Sequence, residues 1–238
     1  MRLMTIVMCM GFAIAARSED TDGARERFEY LISWRGVPVA TAVIVNEEPG
    51  VGNTNQVFRS VRVISRPWLK IFHPVNDVIE CGGDEVGGRF RYSVRKTIHE
   101  SGFHQEDVLA IDSGSGTAVW RDNLNKREVS YPVPAGVRDY LSFLFDIRHA
   151  DFPLGVPKEY QLVMDDGVRR LSVVGVCTGV VECARGAIVA RKLEIKSLSS
   201  QLFVRNIPRA VWISETDHVM VVMEASTKLG VVRAVLQK

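Results

Sequence analysis

The stretch that decides the fold is FEYLISWRGVPVATAVIV, residues 28–45. Large apolar side chains occupy every second position from Phe28 to Trp34, which is the period of a half-buried β-strand. Arg35-Gly36 then interrupts the pattern, and a second apolar run begins. Because two residues are the link that antiparallel strands favour, the stretch predicts a β-hairpin.

The same alternation fills most of the remaining chain. Strand candidates of about 6–10 residues, a normal strand length, are separated by turn signals such as GGDEVGG (82–88) and DSGSG (112–116). In RFRYSVRKTIHE (89–100), apolar and charged residues alternate, which is typical of an antiparallel strand with one covered face and one wet face. PWLKIFHP (67–74) lies between two prolines and predicts a bend or a single helical turn.

One segment departs from the alternation. In GVRDYLSFLFDIRHADFPLG (136–155), apolar residues recur at helical spacing and predict an amphipathic helix over residues 137–148. A sheet of this many strands must curl, split or close. The predicted fold class is therefore mostly β: a single large antiparallel, strongly curled sheet, an open or half barrel, with one amphipathic helix packed near its concave face.

Composition sets broad limits on the class of protein. The chain has 238 residues, of which 46% are hydrophobic and 24% charged, so it is not a wholly disordered protein. Its formal net charge is only +2 and the charges are scattered, so no nucleic-acid partner is predicted.

The N-terminal segment MRLMTIVMCMGFAIAA has a basic start, a short apolar run and an Ala-x-Ala end. This pattern predicts a signal peptide over residues 1–16; a membrane anchor and a buried strand are the alternatives. We expect a single β-rich domain over residues 17–238, exported to the periplasm and without a membrane span after cleavage.

Four cysteines are present, and three remain after that cleavage: Cys81, Cys177 and Cys183. An oxidising compartment permits a disulfide, and Cys177 and Cys183, six residues apart, are the candidates. The spacing alone leaves the geometry of the pair undetermined.

Two polar segments invite a chemical interpretation. HESGFHQED (99–107) holds two imidazoles and three carboxylates, but it spans a Ser-Gly turn, and a solvated hairpin tip is the preferred reading over a metal site. Ser115 in DSGSG is not followed by a helix, as a nucleophile elbow requires, so a turn is predicted there. No catalytic residue, metal site or cofactor is predicted.

Four segments together resemble domain-of-unknown-function family 3108 (DUF3108), exported and mostly Gram-negative bacterial proteins. They are FEYLISWRGVPVATAVI, LKIFHPVNDVIECGGD, VRDYLSFLFDIR and VWISETDHVMVVMEASTKLGVVRAVL, in this order. Val219 to Val222 stand where relatives usually show a proline. The resemblance implies a β-rich, open-barrel-like periplasmic fold, similar in outline to lipoprotein carriers and receptors whose concave faces hold acyl chains. The family has no established activity, so no functional residue carries over.

An open sheet with one helix covers its concave face incompletely, and uncovered apolar surface implies a ligand or partner. The residues expected to line such a groove are Trp34, Trp68, Phe72, Tyr92, Tyr140, Phe143 and Phe145, with His73, Asn76 and Asp77 as its rim. The functional hypothesis is a non-catalytic periplasmic envelope protein that binds a lipid or acyl chain between sheet and helix. An envelope protein that docks a protein partner is the alternative, and a hydrolase ranks third.

Overall fold

A computed structural model describes residues 25–47, 56–86, 89–165, 167–198, 208–227 and 230–238. The predicted signal peptide lies outside these residues. The strands are β1 Arg25–Trp34, β2 Val37–Glu47, β3 Gln56–Ser65, β4 Asn76–Val86, β5 Arg89–Glu100, β6 Phe103–Asp112, β7 Thr117–Asp122, β8 Arg127–Pro132, β9 Pro157–Met164, β10 Gly167–Cys183, β11 Gly186–Ser197, β12 Ala210–Ser214, β13 Met220–Thr227 and β14 Gly230–Leu236, and the helices are α1 Pro67–Lys70 and α2 Tyr140–His149.

All these strands belong to one antiparallel sheet in the order β8-β7-β6-β5-β4-β3-β2-β1-β14-β13-β12-β11-β10-β9. The sheet curls until its two edge strands, β8 and β9, face each other. The Tyr131 hydroxyl in β8 donates to the Met164 carbonyl in β9, and Lys96 forms an ion pair with Asp165. No ladder joins β8 to β9 in the described residues, so the barrel stays open, which confirms the predicted fold class.

The opening hairpin has the predicted link. Trp34 pairs with Val37, and both Arg35 (φ 50°) and Gly36 (φ 82°) have positive φ. This is the type I′ geometry, whose twist matches that of the flanking strands.

Residues 82–88 are predicted to form a turn, but residues 82–86 belong to a strand in the structure. Strand β4 runs through Gly82 and Gly83 to Val86 and is paired with β5 over this whole stretch. A Cβ on Gly83 would collide with the Arg91 carbonyl oxygen and would lie 2.6 Å from Tyr92 Cδ1. The glycine therefore permits a close approach of two strands and does not form a turn.

The disulfide considered possible between Cys177 and Cys183 does not form, and both thiols are free. The two residues lie on the single 17-residue strand β10, which continues past Gly175 with a register shift. Six residues of strand span about 20 Å, whereas disulfide-bonded Cα atoms lie less than about 7 Å apart.

Helix α2 packs inside the curl, against β3 and β9. It begins at Tyr140, three residues later than predicted, because the chain before it is extended. The Arg138 amide donates to the Gln161 carbonyl of β9 (3.0 Å), and the Val163 amide donates to the Arg138 carbonyl (2.8 Å). The extended segment before the helix partly fills the gap between the two edge strands of the sheet. The short helix α1 matches the predicted turn between prolines.

Candidate functional site

A cavity of about 370 Å³ lies at the C-terminal end of α2. Its lining residues are Arg59 from β3, Phe145, Asp146 and His149 from the helix, and Ala150. The volume is within the range of small-molecule pockets, about 300–1,000 Å³. This cavity therefore combines an aromatic ring with ionisable side chains.

Arg59 is the unusual member of this lining. Inward positions on β3 are otherwise held by Val57, Val61, Val63 and Ser65, and Arg59 follows the same alternation, with a residual exposure of only 8%. Its Nε donates to Asn46 Oδ1 (3.0 Å) and its Nη1 donates to Ser142 Oγ (2.8 Å). Both acceptors are neutral, so the guanidinium is hydrogen-bonded without an ionic partner among the described residues.

A chain of hydrogen bonds connects Arg59 to Arg148 in the last turn of the helix. Asn46 Nδ2 donates to Glu26 Oε2 (3.0 Å), and Glu26 accepts from both Nη atoms of Arg148 (2.7 and 2.8 Å). Arg148 Nε donates to the His218 carbonyl (2.7 Å). The bidentate pair geometry is the strong form of an ion pair. The hydrogen bond from Arg148 holds the pKa of Glu26 below its usual range.

Two cations lie close to the aromatic ring that lines the cavity. In the chain from Arg59 to Arg148 there are two guanidiniums and one carboxylate, that of Glu26. Asp146 also faces the cavity, but Arg138 Nε binds its carboxylate at 2.7 Å. The ring of Phe145 lies near both cations, 5.2 Å from Arg59 Cζ and 5.1 Å from Arg148 Cζ. Two guanidiniums therefore lie against one aromatic ring, and of these two only that of Arg148 has an ionic partner within bonding distance among the described residues.

The predicted groove residues are divided among three environments. Tyr92 and Phe143 are buried core, whereas Trp34 and Tyr140 are partly buried and pack against it. Of the seven, only Phe145 borders this cavity.

Trp68 and Phe72 are predicted to line the groove, but the structure places them elsewhere. They are exposed by 50% and 77% at the end of the sheet where α1 lies. The reason is that the two prolines place these aromatics on a helical turn, which no longer follows the strand alternation.

The predicted rim does not border the cavity either. His73, Asn76 and Asp77 lie beside α1, and Asn76 Oδ1 accepts from exposed Arg62 (3.3 Å). Asp77 is buried and faces a second buried acid, Glu100, since Val75 pairs with Glu100 and Val78 with Thr97. Burial raises the pKa of Asp77 to about 6. Burial and the Asp77 charge raise the pKa of Glu100 to about 8.

The two polar segments are turns, as predicted. His99 pairs with His104 across the β5–β6 hairpin, with ring centroids 5.0 Å apart. The Ser115 hydroxyl donates to the Asp112 carbonyl in an exposed turn. Within the described residues, no group of three or more His, Cys, Asp or Glu side chains is placed to hold a metal ion. Neither helix described is long and apolar enough to cross a membrane.

Sequence reasoning missed Arg59, Arg148 and Glu26. A signal for Arg59 is present in QVFRSVRVIS, residues 56–65, where an arginine occupies an inward-phase position between valines. A charged residue at such a position is rarely buried without a specific partner. No comparable signal links Arg148 to Glu26, because they are 122 positions apart.

Helix α2 is held at its start by a buried N-cap. Asp139 Oδ1 accepts from the Leu141 and Ser142 amides, at 2.9 and 3.1 Å. We expect Asp139→Ala to lower the free energy of unfolding by about 1–2 kcal/mol, because two helix amides lose their acceptor. Asp139→Asn keeps that acceptor and should cost less in urea denaturation. Equal losses for both variants would contradict the capping role.

The open antiparallel curl defines a class of β-barrel-like proteins. A crystal structure of a β-barrel-like protein of domain of unknown function DUF1849, from Brucella abortus, superposes with a TM-score of 0.54 at 8% sequence identity. The match covers 90% of this chain and 95% of that chain, and at such identity it shows the fold alone.

The chain belongs to the DUF3108 family, proteins of unknown function, whose family model matches residues 29–237. This confirms the resemblance given by the four segments. No curated protein matches the chain.

Proposed function

We propose that this protein is a non-catalytic, exported envelope protein that binds an amphipathic carboxylate, such as a fatty acid with its acyl chain, between sheet and helix. The observation that carries the proposal is Arg59, a buried cation with neutral hydrogen-bond partners that lines a cavity beside an aromatic ring. Export is supported by the pattern of residues 1–16.

The electrostatics favour an anionic head group. Removing a cation from water is costly unless an opposite charge compensates it. Glu26 is already engaged by Arg148, and Asp146 by Arg138, so neither fully compensates Arg59. A ligand carboxylate would supply the missing charge, and a guanidinium is well suited to bind it.

The remaining lining favours an apolar body attached to that head group. Phe145 and Ala150 provide apolar surface next to Arg59. The filled core around Phe143 and Tyr92 limits the space to the end of the helix. A medium-length chain fits this arrangement better than a long one, because the groove does not continue along the whole concave face.

The test is calorimetric titration of the protein with decanoate and with decanol, which share a chain and differ in charge. We expect decanoate to bind at least tenfold more tightly than decanol, and Arg59→Met to remove this preference. The matched control is Arg62→Met, an exposed arginine on the same strand.

Loss of folding in Arg59→Met would obscure the result, so a second variant acts on space alone. Ala150→Phe fills the cavity from the end of the helix and should abolish decanoate binding while Arg59 remains. Decanoate binding that is absent in the wild type, or equal in all variants, would overturn the proposal.

A further inference from the structure

A second surface lies away from the cavity, at the end of the sheet that carries α1. We define the apolar tip as Val37, Trp68, Ile71 and Phe72. Ile71 is 80% exposed and Phe72 is 77% exposed, and no residue of α1 itself is buried. Large apolar side chains in a contiguous exposed group mark an interaction surface.

Hydrogen bonds and packing against the core hold the apolar tip in place. Trp68 Nε1 donates to the Pro38 carbonyl (3.2 Å), and the Arg66 amide donates to the Val39 carbonyl (2.9 Å). Leu69 packs against the core, and this contact fixes the turn from below. With Leu69 inside, its neighbours Trp68 and Ile71 are held outward.

Basic residues, and no acidic ones, occur in the two segments that carry the tip. Residues 35–38 and 66–75 contain Arg35, Arg66 and Lys70 and no Asp or Glu. None of these three cations takes part in an ion pair with a described residue. Their charge is therefore available to an anionic partner.

We propose that the apolar tip docks the protein on an anionic lipid bilayer, with Trp68, Ile71 and Phe72 inserted at the interface. Tryptophan and phenylalanine next to lysine and arginine are typical of interfacial membrane contacts. Lys70 lies in sequence between two apolar residues, where a long side chain can direct its ammonium to the headgroups.

A protein partner fits this surface less well. The cores of protein interfaces are depleted in lysine and place their aromatic anchors in desolvated pockets. Here Lys70 lies within the apolar group, and Ile71 and Phe72 protrude. The arrangement fits a soft, negatively charged surface better than a shaped protein pocket.

The test is cosedimentation with vesicles of phosphatidylcholine alone and of equimolar phosphatidylcholine and phosphatidylglycerol. Full-length protein is used throughout, so that the N-terminal segment is common to all variants. We expect Ile71→Ser and Phe72→Ser each to weaken partitioning into the mixed vesicles by about tenfold, from the apolar area withdrawn. The matched control is Val180→Ser, an exposed valine near the β10–β11 turn at the opposite end of the sheet.

Charge is tested separately. We expect Arg66→Gln and Lys70→Gln each to weaken binding to the mixed vesicles by roughly fivefold, the effect of one cation near an anionic surface. Exposed Arg95 on β5 supplies the control, Arg95→Gln, which should change nothing.

Equal binding to both vesicle types, or losses in the tip variants no greater than in Val180→Ser, would overturn the proposal. So would a wild-type protein that ignores vesicles and forms a dimer that Phe72→Ser dissociates, since the tip would then bind a second copy of this chain.

Discussion

Arg148→Met is expected to lower the free energy of unfolding by about 3 kcal/mol, the lower end of the cost of breaking a buried ion pair, because the Glu26 side chain is 33% exposed. Arg148 is 1% exposed, its two Nη atoms bind Glu26, and its Nε binds the His218 carbonyl. It also lies 5.1 Å from the ring centroids of Phe28 and Phe145. Methionine preserves much of the volume, so the loss reports the polar contacts, which join helix, strand and loop.

The measurement is urea denaturation, with the exposed pair Arg170–Glu159 as control. Arg170→Met should cost less than about 1 kcal/mol, as exposed ion pairs do. Glu26→Gln should also be strongly destabilising, because it leaves Arg148 buried without an anion. The double variant should be less destabilised than the sum of the two, by about 1–3 kcal/mol. Equal losses for Arg148→Met and Arg170→Met would contradict the structural role of the pair.

This pair shows where sequence reasoning stops. Alternation at period two identifies the strands, because the apolar residues of each strand mark the face that points inward. The Arg35-Gly36 link identifies the first hairpin. The residue opposite Arg148 is decided by the curl, which brings together positions 122 apart in the chain. No local pattern carries that information.

The sequence predicts that a groove lies near the helix, but it does not predict which residues border the groove. Phe145 borders the cavity, but Tyr92 and Phe143 are packed core, because apolar periodicity does not distinguish a covered position from an open one. Gly83 illustrates a related ambiguity. The same residue type that ends a strand also allows two strands to approach closely, and only the position of Tyr92 decides between these roles.

The second large effect is a loss of stability with rising pH. In the fold the pKa of Glu100 is about 8, against an ordinary value of 4.5 that we assign to the unfolded chain. The folded state therefore binds this proton more tightly than the unfolded state. Its stabilising contribution is complete below the unfolded pKa and is lost as pH rises through the folded one.

The size of this effect follows from the shift in pKa. Each unit is worth about 1.4 kcal/mol, so the wild type should be roughly 3–5 kcal/mol less stable at high pH than when Glu100 is protonated. Asp77, with a pKa of about 6 against an ordinary 3.8, contributes a smaller loss at lower pH. The two acids interact, so the observed transitions belong to the pair. The physical cause is that Glu100 Oε1 and Asp77 Oδ2 are buried without hydrogen-bond partners among the described residues.

Glu100→Gln removes the ionisation and nearly preserves the shape. We expect this variant to have a flat stability profile from about pH 7 to pH 9, above the Asp77 transition, and to exceed the wild type at the upper limit. Asp77→Asn should shift the remaining transition to lower pH, because the neighbouring negative charge that raises the pKa of Glu100 is gone. The control is Glu106→Gln, which replaces an exposed acid of the same hairpin and should keep the wild-type stability profile. Urea denaturation at a series of pH values decides the matter, and a wild-type profile in Glu100→Gln would show that this carboxyl ionises without cost in the fold.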